Sequence, residues 1–199
     1  MKKKVLFVGA HCDDLELACG ATIHRYQDRW DMTAVILVSI GPAGDLAEVS
    51  KRSLARLGIH RSEFHDLPDR EVGQHRQKVW EILHLAEERY APDLAFTHWP
   101  DINQDHEAVF KESERNFRCC SLISYTQTRS TISYQPNLFI PVSREDVDAK
   151  IGALSEYQIY EEKNYFYPDN ILAKLRFGGI FIEQEFAETF RVERQIGLG

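Results

Sequence analysis

Two kinds of hydrophobic pattern alternate along the first two thirds of the chain. Continuous apolar runs rich in β-formers, Val5–Ala10 (VLFVGA) and Thr33–Ile40 (TAVILVSI), predict strands buried on both faces, as in a parallel sheet. Residues Leu17–Trp30 between them predict a helix, which completes a strand–helix–strand unit within about 40 residues. The alternation continues. Leu46–Leu57 predicts a helix stopped by Gly58, Glu63–Leu67 a short strand, and Gln74–Tyr90 an amphipathic helix stopped at Ala91-Pro92. Asp93–His98 (DLAFTH) predicts another buried strand, Gln104–Arg118 a helix and Ser121–Tyr125 a strand.

The last third loses this regularity. Asn137–Val142 predicts a strand and Arg144–Tyr157 a helix, followed by an aromatic, mixed segment with Tyr157, Tyr160, Tyr165, Phe166 and Tyr167. Such a segment suits core or subunit interface, or stacking on a sugar ring. No internal repeat, low-complexity tract or linker divides the chain. The expectation is an α/β, Rossmann-like fold: a mostly parallel sheet with helices on both faces, as a single domain over residues 1–199.

Open α/β sheets bind ligands at the carboxyl ends of their strands. That edge should bring together the loops after Ala10, Ile40 and His98. The first reads His11-Cys12-Asp13-Asp14, and the last runs from His98 to His106 as HWPDINQDH. Together they supply three histidines and four aspartates. Imidazole and carboxylate without a thiolate pair form the ligand set of a catalytic zinc site, which uses three protein ligands and leaves one position for water. Either loop alone reads as a helix N-cap or a solvated first turn; the pair at one edge favours a joint metal site.

Composition sharpens this picture. The 199 residues are 43% hydrophobic and 28% charged, the profile of a soluble globular chain. The 31 acidic and 24 basic residues leave a net charge of −7, which argues against a general nucleic-acid binder. Cys12, Cys19, Cys119 and Cys120 form no CxxC pair, so they read as free thiols in a reducing compartment. The apolar run after Lys2-Lys3-Lys4 is too short for a signal peptide, and no stretch approaches a transmembrane span. A cytoplasmic protein without membrane insertion is expected.

Residues Ala10 to Thr22, AHCDDLELACGAT, resemble the AH-x-DD-x-EL-x-CGGT signature of the PIG-L/LmbE-like zinc-dependent N-deacetylases. His98 to His106 resembles that family's second signature, H-x-x-x-D-x-N-x-D-H. Weaker likenesses follow at Ala91-Pro92-Asp93, Gln135-Pro136-Asn137, Lys150–Tyr157 (K-x-x-A-L-x-x-Y) and Ala187–Phe190 (A-E-x-F). The resemblance implies one Zn²⁺ per chain held by His11, Asp14 and His106, with Asp13 as general base. It implies a small-molecule N-acetylated amino-sugar substrate of the N-acetylglucosamine type, and relatives that are often homo-oligomers. Asp105 would orient a histidine in the catalytic centre, and Asp101 would do the same or cap the helix.

The chain departs from the family at several points. Asn103 stands where many members carry the histidine that protonates the departing amine; an asparagine donates a hydrogen bond to substrate but cannot be an acid. His98 is therefore the expected acid, against a plain strand-end histidine. Cys12 replaces a proline and Ala21 a glycine. Cys19 is expected to be packing. The family's arginine after the second strand is placed at Arg52, as a substrate contact or a solvated helix-face charge. Competing readings are a metal-dependent phosphoesterase, which wants a second metal, a nucleotide-binding protein, for which Gly9–Asp14 lacks G-x-G-x-x-G, and a catalytically inactive sugar-binding module on the same fold.

Overall fold

The computed structural model describes residues 1–41 and 44–197. Seven strands form the main sheet: β1 Lys3–His11, β2 Trp30–Val38, β3 Ser62–Phe64, β4 Leu94–His98, β5 Ser121–Tyr125, β6 Leu138–Pro141 and β7 Ala187–Arg194. Their order is β3-β2-β1-β4-β5-β7-β6. The first five are parallel, and β7 runs antiparallel to both β5 and β6. The helices are α1 Asp14–Tyr26, α2 Ala47–Leu57, α3 Arg76–Tyr90, α4 Gln104–Asn116, α5 Arg144–Leu154 and α6 Pro168–Ile180.

Packing on both faces explains why the middle of β1, Val5–Ala10, is a continuous apolar run. Val5 and Phe7 point to one face, where they join Leu15, Cys19 and Ile23 of α1, Leu54 and Leu57 of α2, and Val147 of α5. Leu6, Val8 and Ala10 point to the other, against Val79 and Leu83 of α3 and Val109 of α4. The mostly parallel sheet covered on both faces is therefore as the pattern predicted.

Several boundaries shift for local reasons. Helix α1 begins at Asp14, three residues before the expected Leu17, because the chain turns sharply at Asp13. Trp30 belongs to β2 and stacks on Tyr26, with centroids 4.2 Å apart. Helix α2 ends at Gly58 as expected, with φ 102°, where a side chain would strain the backbone. Helix α5 stops at Leu154, and the following turn carries Tyr157 inward.

The pattern did not reveal α6 or β7. Gly178-Gly179 looks like a break in a helix, yet both lie within α6. The chain doubles back so tightly after α6 that a Cβ at Gly178 would collide with the Ala187 carbonyl oxygen. Strand β7 then inserts between β5 and β6, and its charged, half-buried sequence hides its place inside the sheet.

One buried ion pair ties this last third to α1. Lys150 Nζ of α5 lies 2.6 Å from Glu188 Oε1 of β7, and both side chains are almost wholly excluded from solvent. Lys150 also donates to the Leu17 carbonyl at 2.8 Å, while Glu188 accepts from the Ala21 and Thr22 amides at 3.1 and 2.8 Å. Leu17 C=O and Ala21 N–H are groups an α-helix pairs with each other. Gly20 leaves room for the lysine stem; a Cβ there would be 2.9 Å from Lys150 Cγ. Breaking such a pair leaves an uncompensated buried charge, so Lys150→Met should cost about 3–5 kcal/mol in denaturant unfolding.

Glu16 is buried on the same helix, where it accepts from Tyr157 Oη at 2.7 Å. Burial pushes its pKa up from 4.5 to about 7. Between those two values the folded protein keeps a proton that the unfolded chain has released. Stability therefore falls as pH rises through that window. Urea midpoints in the presence of a chelator should show Glu16→Gln gaining on the parent between about pH 4 and pH 8; a constant difference would refute the assignment.

Candidate active site

The strand order reverses between β1 and β4, which lie side by side and send their helices to opposite faces. Their carboxyl ends deliver His11 and His98 to one place, at the switch point where α/β sheets form ligand crevices. Asp13 occupies the turn into α1 with φ 102°, a left-handed conformation that an L side chain adopts only under constraint. That turn places Asp13 and Asp14 in different surroundings.

Asp14 is buried among donors. It accepts from the His11 amide at 2.7 Å, and its carboxylate lies 3.0 Å from His98 Nε2, 3.5 Å from His11 Nδ1 and 3.6 Å from His106 Nε2. Burial alone would raise its pKa, but the His98 and His106 rings override it and hold the carboxyl well below the usual range. Asp13 has no such partners among the described residues. Burial and the neighbouring Asp14 charge push its pKa well above the usual carboxylate value. The two adjacent carboxyls thus carry opposite shifts.

Ligand atoms of His11, Asp14 and His106 lie within 4.8 Å of one another. The far nitrogen of each histidine is anchored by a carboxylate. His11 Nε2 is 3.2 Å from Asp105 Oδ2, and His106 Nδ1 is 2.9 Å from Asp101 Oδ2. Both near nitrogens are thereby presented to Asp14, the arrangement that orients imidazoles on a metal. The donor set fits a divalent ion of the zinc type. A second grouping, His11 with Asp69 and Asp105, shares His11. Asp105 already accepts from the Arg70 and Val72 amides at 2.7 and 3.1 Å, so its geometry is that of an anchor for His11.

The other expected site residues fall in three groups. Asn103 lines the cavity, but its side-chain oxygen caps α4 by accepting the Asp105 amide at 2.9 Å, which leaves its NH₂ for a ligand. Asp105 is buried behind His11 and does not line the cavity. His98 lies outside the cavity lining. Its ring is fully buried behind Asp14, stacks on His106 at 3.9 Å, and is absent from the cavity wall. Burial lowers its pKa to about 4. Its Nε2 accepts the Ala10 amide at 3.0 Å. Arg52 also lies outside the lining and pairs with Glu156 at 3.2 Å on the exposed face of α2, the helix-face reading of the sequence.

The cavity has a volume of about 430 Å³, within the range of small-molecule sites. Its wall includes residues the sequence reading missed: Asp69, Arg70, Gln127, Arg129 and Lys163. Asp69 and Arg70 follow β3, so the edge rule applied to the third strand would have found them. The aromatic segment divides: Tyr160 and Tyr165 line the cavity, whereas Tyr157 is core. Cys19 is buried packing as expected, and all four cysteines are free.

A carboxylate–imidazole centre whose ligand atoms could hold a metal is thus set at the switch point of an α/β sheet. Residues 6–115 match the GlcNAc-PI de-N-acetylase (PIG-L) family, and the chain belongs to that family of deacetylases. It is 28% identical over 169 residues to "Uncharacterized deacetylase YaiS" of Escherichia coli strain K12, covering 79% of this chain and 91% of that protein. Its fold is similar to that of the conserved protein TT1542 from Thermus thermophilus (TM-score 0.81, 20% identity, 98% and 96% of the two chains). It is also similar to that of GalB, the 4-carboxy-2-hydroxymuconate hydratase of Pseudomonas putida KT2440 (TM-score 0.79, 15% identity, 99% and 98%). Among the described residues, no helix is long and apolar enough to cross a membrane.

If His98 positions ligands, His98→Ala should weaken metal binding about 10–100-fold, read by chelator competition. Unchanged affinity would remove it from the site.

Proposed function

We propose that this chain is a zinc-dependent hydrolase that removes the N-acetyl group from an N-acetylglucosamine-type amino-sugar conjugate. The observation that carries the reading is the split pair: Asp14 held as an anion between two anchored imidazoles, and Asp13 beside it pushed towards a more basic carboxylate. The family description supplies the substrate class.

His11, Asp14 and His106 would hold the ion. When bound, zinc supplies a Lewis acid that polarises the amide carbonyl and acidifies water. Asp13 takes the proton of the attacking water as the C–O bond forms. The tetrahedral carbon then expels the amine, and Asp13 returns the proton to that nitrogen as the C–N bond breaks. One residue serving as base and then acid removes the need for a histidine at position 103. The Asn103 NH₂ faces the same space and offers a hydrogen bond to substrate.

Metal analysis of the purified protein should give about one zinc per chain. A panel of N-acetylated sugars, assayed for released amine, should show turnover that a chelator abolishes. Asp13→Asn should reduce that turnover by about 100-fold or more with the metal retained. Loss of the metal in this variant would make Asp13 a ligand, and chelator-insensitive turnover would sink the zinc mechanism.

A further inference from the structure

Residues 126–131, directly after β5, belong to neither signature and lie beyond the stretch 6–115 that matches the family. Yet this loop is tied to both halves of the metal-ligand set. Gln127 Nε2 donates to the Asp14 carbonyl at 2.8 Å, at the start of α1. Three residues on, Ser130 Oγ donates to Asp101 Oδ2 at 2.5 Å. That same carboxylate oxygen lies 2.9 Å from His106 Nδ1. Ser130, Asp101 and His106 are thus three side chains in series, and His106 Nε2 at the far end faces Asp14 at 3.6 Å.

A carboxylate only accepts hydrogen bonds, so the imidazole N–H and the Ser130 hydroxyl both donate to Asp101. Its other oxygen, Oδ1, accepts the Asn103 amide at 2.8 Å. The Asp101 side chain is 1% exposed. Water has little access to replace a lost donor there, and a buried acceptor left short of a partner is costly. Thr131 is a poor substitute: its Oγ1 is 3.4 Å from Asp101 Oδ2 and already accepts the Gln127 amide at 3.2 Å. The loop backbone is itself pinned. The Ile102 amide donates to the Ser130 carbonyl at 3.3 Å, and Lys174 Nζ of α6 donates to the Thr126 carbonyl at 3.2 Å. The hydroxyl is therefore held in place by contacts that do not involve the ligands.

We infer that Ser130 is a positioning residue for the metal ligand His106 and acts through Asp101. The hydroxyl sets the direction of the carboxylate, and the carboxylate fixes both the Nδ1 proton and the rotation of the ring. Nε2 is then aimed at the ion. The inference rests on the zinc hydrolase reading for what His106 holds; the series of contacts stands on its own distances.

The test measures zinc affinity by chelator competition, which needs no turnover, together with the melting temperature of the metal-free proteins. The variants are Ser130→Ala, Ser130→Thr, Asp101→Asn and the double variant Ser130→Ala/Asp101→Asn. Ser130→Ala should weaken zinc binding about tenfold, the lower end of what losing an outer partner of a ligand costs. Its metal-free melting temperature should stay close to that of the parent. Ser130→Thr keeps a hydroxyl and should recover most of the affinity. The double variant should bind zinc no more weakly than Asp101→Asn alone, because the hydroxyl acts only through that carboxylate. Parent-like affinity in Ser130→Ala overturns the inference, and so does an additive loss in the double variant. A loss of affinity matched by an equal loss of metal-free stability overturns it as well. Zinc binding that depends on Ser130, in a protein that releases no amine from any N-acetylated sugar, upholds the positioning role and overturns the deacetylase reading instead.

Discussion

The buried Lys150–Glu188 pair is the contact on which the rest of the molecule turns. It joins α5, β7 and the middle of α1, three segments that the chain order keeps far apart. Burying two charges is costly unless every remaining lone pair and proton finds a partner. Here the partners are backbone groups of α1 itself, so the cost is met only when α1 has one position and one rotation. That same helix opens with Asp13 and Asp14. The alignment of the site is therefore coupled to a buried polar contact further along α1, and the C-terminal third acts as the clamp.

At the site the governing effect is unequal solvation of two adjacent carboxyls. Asp14 is surrounded by donors and imidazoles, while Asp13 is turned by a left-handed backbone into space without them. Charge separation of this kind needs no unusual residues, only a turn that directs neighbours to different surroundings. The anchoring carboxylates Asp101 and Asp105 extend the logic outward, since each fixes one histidine nitrogen and thereby presents the other. The left-handed φ of 102° at Asp13 is a strained conformation that its surroundings hold in place.

Membership of the deacetylase family and the likeness to a hydratase fold sit together without conflict. A switch-point crevice is a place where chemistry is installed, and the fold does not select the reaction. What selects it is the local set of carboxyls and imidazoles. His98 shows how packing alters a reading: a histidine at a strand end looks available in the sequence, but its ring is fully buried behind Asp14.

Much of this was legible in the letters. Continuous apolar runs in β1, β2 and β4 dictated a parallel sheet covered on both faces, because a strand with no polar face has nowhere to meet water. The two Asp- and His-rich loops had to meet, because carboxyl ends of adjacent parallel strands share an edge. The sequence did not disclose α6 or β7, whose pattern is set by a tight return at Gly178-Gly179 and by insertion between two strands, both long-range effects. Nor did it show that Lys150, Glu188 and Gly20 are one structure, or that His98 is sealed behind Asp14. Periodicity reports which face of an element is buried. Which distant side chains meet there is decided by packing, and that exists only once the chain is folded.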